Sequence, residues 1–78
     1  MSKQLDESMQ RIWLATVACC TALHDIGFDA EEIAEEMPRA MSQLGKEVLA
    51  RYAFPGDSIK LGQDYAETLA ATRAGREA

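Results

Sequence analysis

LDESMQRIWLATVACCTALHDI, residues Leu5–Ile26, holds one unbroken helical register. Within it Leu5, Met9, Ile12, Thr16, Cys19, Leu23 and Ile26 follow one another at alternating steps of four and three. Beside them a second row, Trp13, Val17, Cys20 and His24, keeps the same spacing. At about 3.6 residues per turn the two rows span roughly 180°, against the roughly 100° that a core-facing surface helix needs. Such a helix has to be covered on two sides, by its own chain or by another. The four-three spacing alone suggests a coiled coil, but the seam contains Thr16 and Cys19 and runs for only about three heptads. The second row fits better the central beam of a small bundle.

Trp13 reads as core at this spacing, with an interface anchor as the alternative. Leu14 projects nearly opposite the Leu5–Leu23 line and breaks a face otherwise made of Glu7, Gln10, Arg11, Thr21 and Asp25. A lone exposed leucine needs no explanation. Beside an over-wide apolar stripe, it raises the case for a partner on this helix.

Working outward, Ser2 is a good N-cap, and Asp6 and Glu7 suit the positive end of a helix dipole. Gly27 is the favoured residue just past a helix end. Asp29 and Glu32 have capping-box spacing, and Phe28 with Ile33 can form the hydrophobic staple across the same start. Pro38 then intrudes. It removes a helical donor, clashes with the preceding turn and pushes Met37 from helical angles. The apolar phase Ala30, Ile33, Met37, Met41, Leu44, Val48, Tyr52 nevertheless continues through it. A kinked helix and a restart both fit; the restart is favoured, because the first segment is short and separately capped.

Phe54-Pro55-Gly56-Asp57 has the residues of a type II turn. A last helix follows with the seam Leu61, Tyr65 and Leu69, widened by Ala66 and Ala70, and Gly62 weakens its first turn. The expected helices cover about 3–26, 30–37, 39–53 and 59–72, with 73–78 a frayed tail that has lost its apolar seam.

Seventy-eight residues make one domain at most, 1–78, and a chain this short buries only about 60–65% of its unfolded surface. Its 47% hydrophobic but 6% aromatic content suits aliphatic and alanine packing between helices. The expected fold is all-α, a small bundle of three to four short helices around a long N-terminal helix. No apolar run approaches the roughly 20 residues of a membrane span and no signal-peptide pattern opens the chain, so a cytoplasmic location is expected.

Thirteen acids against eight bases give a net charge of −5, which disfavours a phosphate backbone and favours basic partners. The charge is polarised. Asp25, Asp29, Glu31, Glu32, Glu35 and Glu36 stand together without a lysine or arginine, whereas Arg39, Lys46 and Arg51 face only Glu47 in the next segment. The adjacent Cys19 and Cys20 point about 100° apart on a helix, so they read as reduced, buried small hydrophobes.

Chemistry-bearing constellations are few. Cys20 and His24 at i, i+4 supply two metal ligands where zinc needs three or four, so no metal or other cofactor is expected, and His24 reads as a partly buried helix-end residue. One histidine, no glycine-rich phosphate loop and no signature around the serines argue against an enzyme. The acid run reads first as a solvated helix start and second as a patch that docks a basic protein. Within Asp29–Ala53, a short helix, a break and a second helix loosely resemble a helix-turn-helix, with Arg39, Ser42, Gln43 and Lys46 on one face able to touch bases or phosphates. Against that, Pro38 leaves little room for the turn, and Glu35 and Glu36 would sit close to the DNA.

In size, acidity and helicity, and along IWLATVACCTALHDIGFDAEEIAEEMP, residues Ile12–Pro38, the chain resembles the small antiactivators of rhizobial conjugative elements. The resemblance implies binding to a transcriptional activator and arrest of its action, and it transfers no residue roles. The expected function is therefore a non-enzymatic regulator that binds another protein, a transcription activator by the resemblance. Trp13, Leu14, Glu32, Glu35 and Glu36 are its expected partner-binding residues. A minimal helix-turn-helix DNA binder using Arg39, Ser42, Gln43 and Lys46 is the alternative, and a small assembly subunit is a third reading. A monomer or a small homo-oligomer fits each of these.

Overall fold

The computed structural model describes residues 3–51 and 55–77, with side chains for 7–50 and 56–75. They form three helices: α1 (Lys3–Ile26), α2 (Ala30–Arg51) and α3 (Pro55–Glu77). Only Gly27, Phe28 and Asp29 among the described residues lie outside a helix, so the architecture is all-α. The expected cap at Ser2, the side chain of Leu5 and the seam position Tyr52 lie outside the described residues.

The corner between α1 and α2 follows its local signals. Gly27 has φ 122°, a conformation that costs a residue without Cβ little. Its amide donates to the His24 carbonyl at 3.1 Å and the Phe28 amide donates to Leu23 at 3.0 Å, the paired bonds of a Schellman end. Immediately afterwards the Glu32 amide donates to Asp29 Oδ1 at 2.8 Å, and the Asp29 amide donates to Glu32 Oε1 at 3.0 Å. That is a capping box. Phe28 and Ile33 are both buried, as a hydrophobic staple requires. Three residues thus turn the chain and satisfy both helix ends.

Two expectations about boundaries fail. The proposed restart at Pro38 does not occur: 30–37 and 39–51 are parts of one helix, α2, which runs through the proline, and positions 52–53 of the expected third helix lie outside the described residues. Pro38 and Ala34, whose carbonyl loses its donor, are both exposed, so that carbonyl is open to water and the penalty is softened. The apolar face also holds the helix together across the proline, because Ile33, Ala40, Leu44 and Val48 are all buried on one side. The second failure concerns the ends of the last helix. It begins at Pro55 rather than near 59 and continues to Glu77, so Gly56 and Asp57 are helical, and so are residues 73–77 of the expected frayed tail. Proline suits a first helical turn, where its missing donor costs nothing. Near the other end Arg73 ties α3 down, with its guanidinium 4.6 Å from the centre of the Phe28 ring and ion-paired to Glu32.

α1 is the central beam: α3 lies against it over the longest stretch, α2 packs on it less extensively, and α2 and α3 touch only briefly. A short corner makes α2 antiparallel to α1, with Gly45 opposite Ile12. α3 runs in the same direction as α1, since Gly62 meets Ala15 and Cys19 while Arg73, further on, reaches Phe28 beyond the end of α1. The core comprises Ala15, Cys19 and Leu23 from α1, Ile33, Ala40, Leu44 and Val48 from α2, Ala66 from α3, and Phe28 from the corner. Buried Thr16 satisfies its hydroxyl by donating to the Ile12 carbonyl at 2.8 Å.

The α1–α3 crossing is built from small residues. Ser58, Gly62 and Ala66, four residues apart, are all buried on one line of α3. A Cβ at Gly62 would fall on the Ala15 carbonyl oxygen and within 2.9 Å of the Cys19 nitrogen. The glycine therefore packs directly on a backbone hydrogen bond of α1, an approach only a residue without a side chain allows.

Candidate protein-interaction surface

Two sides of α1 are covered by α2 and α3; a third is not. Ile12 and Cys20 face α2, Ala15 and Cys19 sit in the packed interior, and Ala22 is half-buried beside the core. The remaining arc carries Met9 (58% exposed), Trp13 (65%) and Val17 (42%). These three belong to neighbouring rows of one apolar stripe, spaced four residues apart on the middle of the central helix. Trp13 is therefore not core, as its spacing suggested. Periodicity tells which residues share a face, but not how many helices are available to cover it.

Two grooves adjoin the half of α1 nearer the corner. Towards α3, Leu14, Val17, Ala18 and Thr21 meet Ile59 and Gln63, and Asp25 closes the end. Towards α2, Cys20, Thr21 and His24 meet Ala30, Ile33 and Ala34. Leu14 is thus half-buried beside Ile59 rather than isolated. Ile59 is 41% exposed, and nothing in the sequence marked it beyond its own hydrophobicity, because it lies off the Leu61–Leu69 seam.

The acidic residues expected to join Trp13 and Leu14 lie elsewhere. Glu32, Glu35 and Glu36 surround a separate recess with Phe28, Leu69 and Arg73, on the side where α2 approaches α3. Glu32 is committed twice, to the capping box and to Arg73. Glu35 is exposed and Glu36 half-buried. Of the other carboxylates, Asp25 closes the end of the α3-side groove, and Glu31 is exposed in the first turn of α2, next in sequence to Ala30 of the α2-side groove.

Arg39, Ser42, Gln43 and Lys46 are all exposed along the outward face of α2, and Gln43 Nε2 donates to Glu47 Oε1 at 3.4 Å. The helix beneath them is continuous over Ala30–Arg51, so the break expected at Pro38 as the turn of a helix-turn-helix is absent. His24 is not partly buried as expected. Its side chain is 79% exposed, with Nδ1 3.9 Å from Asp25 Oδ1. Among the described residues, no three His, Cys, Asp or Glu side chains converge on a common point that could hold a metal.

The two cysteines separate chemically. Cys19 is fully buried, and burial, reinforced by the neighbouring Cys20 thiol, pushes its pKa from 9.0 up to about 11. Cys20 is half-buried at the lip of the α2-side groove, and both thiols are free. The Tyr65 phenol is also shifted upward, first by burial and then by Cys19 and Glu36, with Arg39 opposing.

Among the described residues no helix is long and apolar enough to cross a membrane. No protein-family model matches the chain, and neither curated proteins nor solved structures include a match to it.

Proposed function

We propose that this chain is a non-enzymatic regulator that binds another protein through the uncovered face of α1, acting as an antiactivator that masks a transcriptional regulator. The observation that carries the reading is the exposed Met9–Trp13–Val17 row on the very helix that organises the fold. A tryptophan left largely in water on a rigid central helix is the residue type that most often anchors an interface. Its apolar neighbours supply area while charged residues are lacking from its centre, the usual make-up of an interface core. The masking role itself rests on the resemblance along Ile12–Pro38.

Capture from host lysate, compared between the native chain and Trp13→Asp, tests the reading. A regulator retained by the native chain and lost from the variant is expected, together with recovery of transcription from that regulator's promoter. Because Trp13 is exposed, the variant keeps its helical circular dichroism. Equal capture by both proteins, or repression that survives the substitution, overturns the proposal.

A further inference from the structure

We infer that the occupant of the α1 face is a cationic amphipathic helix, with its apolar side on the Trp13 row and its lysines or arginines over Asp25 and Glu31. This deepens the masking proposal and rests on it. Shape is the first argument. From Met9 the row runs through Trp13 and Val17 and passes into the groove where Cys20 and His24 face Ala34. At about 1.5 Å per residue this track is roughly 22 Å long, matching a helix of about 15 residues with anchors at i, i+4 and i+7.

Charge supplies the second argument and decides the partner's sign. Met9, Trp13, Val17 and Cys20, with exposed Gln10 and Thr21 beside them, carry no formal charge. At the corner end of α1 the exposed Asp25 closes the α3-side groove, and Glu31 is exposed in the first turn of α2, next in sequence to Ala30 of the α2-side groove; between Asp25 and Glu36 there is no lysine or arginine. Arg11, the cation of α1 nearest the track, is engaged with Glu7 at 3.7 Å. Lys46 and Lys60 are exposed on α2 and α3 towards the opposite end, near the levels of Ile12 and Leu14. The face therefore grades from apolar to negative along its length. A helix graded from apolar to positive complements it, while an acidic helix, including the negative end of a second copy, meets repulsion there.

Two synthetic helical peptides of about 18 residues test this, with one leucine stripe in common and flanks of lysine in one and glutamate in the other. Trp13 is the chain's single tryptophan, so its emission reports occupancy directly. The lysine peptide is expected to shift that emission to the blue with at least roughly tenfold tighter binding than the glutamate peptide. The preference should shrink in about 0.5 M salt. Asp25→Lys/Glu31→Lys should abolish it, whereas Asp64→Lys/Glu67→Lys, an equal change of net charge on α3, should leave it in place.

Equal affinities, no binding of either peptide, or a preference removed equally by both double variants overturns the cationic occupant. So does a blue shift that grows with protein concentration alone, which assigns the face to a second copy. Should the peptides show no preference while capture of the regulator still depends on Trp13, this inference falls and the masking proposal stands. If capture is indifferent to Trp13, the masking proposal itself has failed.

Discussion

Ser58 and Gly62 stand one turn apart on the same buried line of α3, yet substitution by alanine should move stability in opposite directions. Gly62→Ala gains helix propensity of about 1 kcal/mol. It also drives a methyl group into the Ala15 carbonyl, and neither backbone can retreat without opening the crossing. A net loss of about 2 kcal/mol or more is expected in urea unfolding. Ser58 is fully buried, and its hydroxyl has no hydrogen-bond partner among the described residues. Replacing it with alanine removes an uncompensated polar group and should raise stability by about 1 kcal/mol. The glycine that looked like a weak point in a helix is thus the position that sets how closely two helices approach. Sequence spacing could not reveal this, because the partner backbone lies more than forty residues away in the chain. Cys19 gives a second prediction at this scale. Its thiol keeps its proton up to about 11 when folded, against 9.0 ordinarily, so the unfolded chain loses protons first as the solution becomes alkaline. Its contribution to stability is full below pH 9 and declines between pH 9 and 11, by roughly 1–2 kcal/mol. The decline should be shallower in Cys19→Ala, and a thiol reagent should label Cys20 well before Cys19 in the native protein.

Among the elements, the corner and α2 mark where local reasoning works and where it yields. Gly27, Phe28, Asp29, Glu32 and Ile33 act within a few residues of one another, so a Schellman end, a capping box and a staple can be read directly from their spacing. Pro38 is equally local, and its rule predicts a break. What overrides it is the uninterrupted apolar face from Ile33 to Val48, which buries side chains only if the helix continues. The proline still carries its intrinsic cost, and Pro38→Ala should restore a donor to the Ala34 carbonyl and relieve the ring clash. Because both residues are exposed, no packing is lost. We expect stabilisation of about 1–3 kcal/mol, seen as a higher midpoint in thermal circular dichroism. The end of α3 failed for the converse reason. Arg73 offers no apolar signal, and its place on Phe28 and Glu32 depends on the corner, which only the folded chain brings near.

For the whole molecule, the most extensive backbone approach joins the two elements furthest apart in sequence, α1 and α3, while α2 supplies most of the buried side chains that α1 packs against. The candidate surface follows from the same arrangement. The width of the α1 stripe was apparent from its two rows, but which part stays uncovered depends on where α2 and α3 settle. They settle on the Ile12 and Ala15 sides, which leaves Trp13 outside. A chain ended at Arg51 keeps the corner but exposes Ala15 and Cys19, and this small core needs nearly all its area. Such a chain is expected to lose its cooperative urea transition while retaining partial helicity.

The three-residue corner has a kinetic consequence as well. Its caps and staple join residues adjacent in the chain, so closing the α1–α2 hairpin costs little loop entropy and can precede the rest. α3 must then find a groove floored by a bare hydrogen bond, into which only the Gly62 turn fits. The corner thus governs how early folding begins, and a missing side chain governs the register in which it ends.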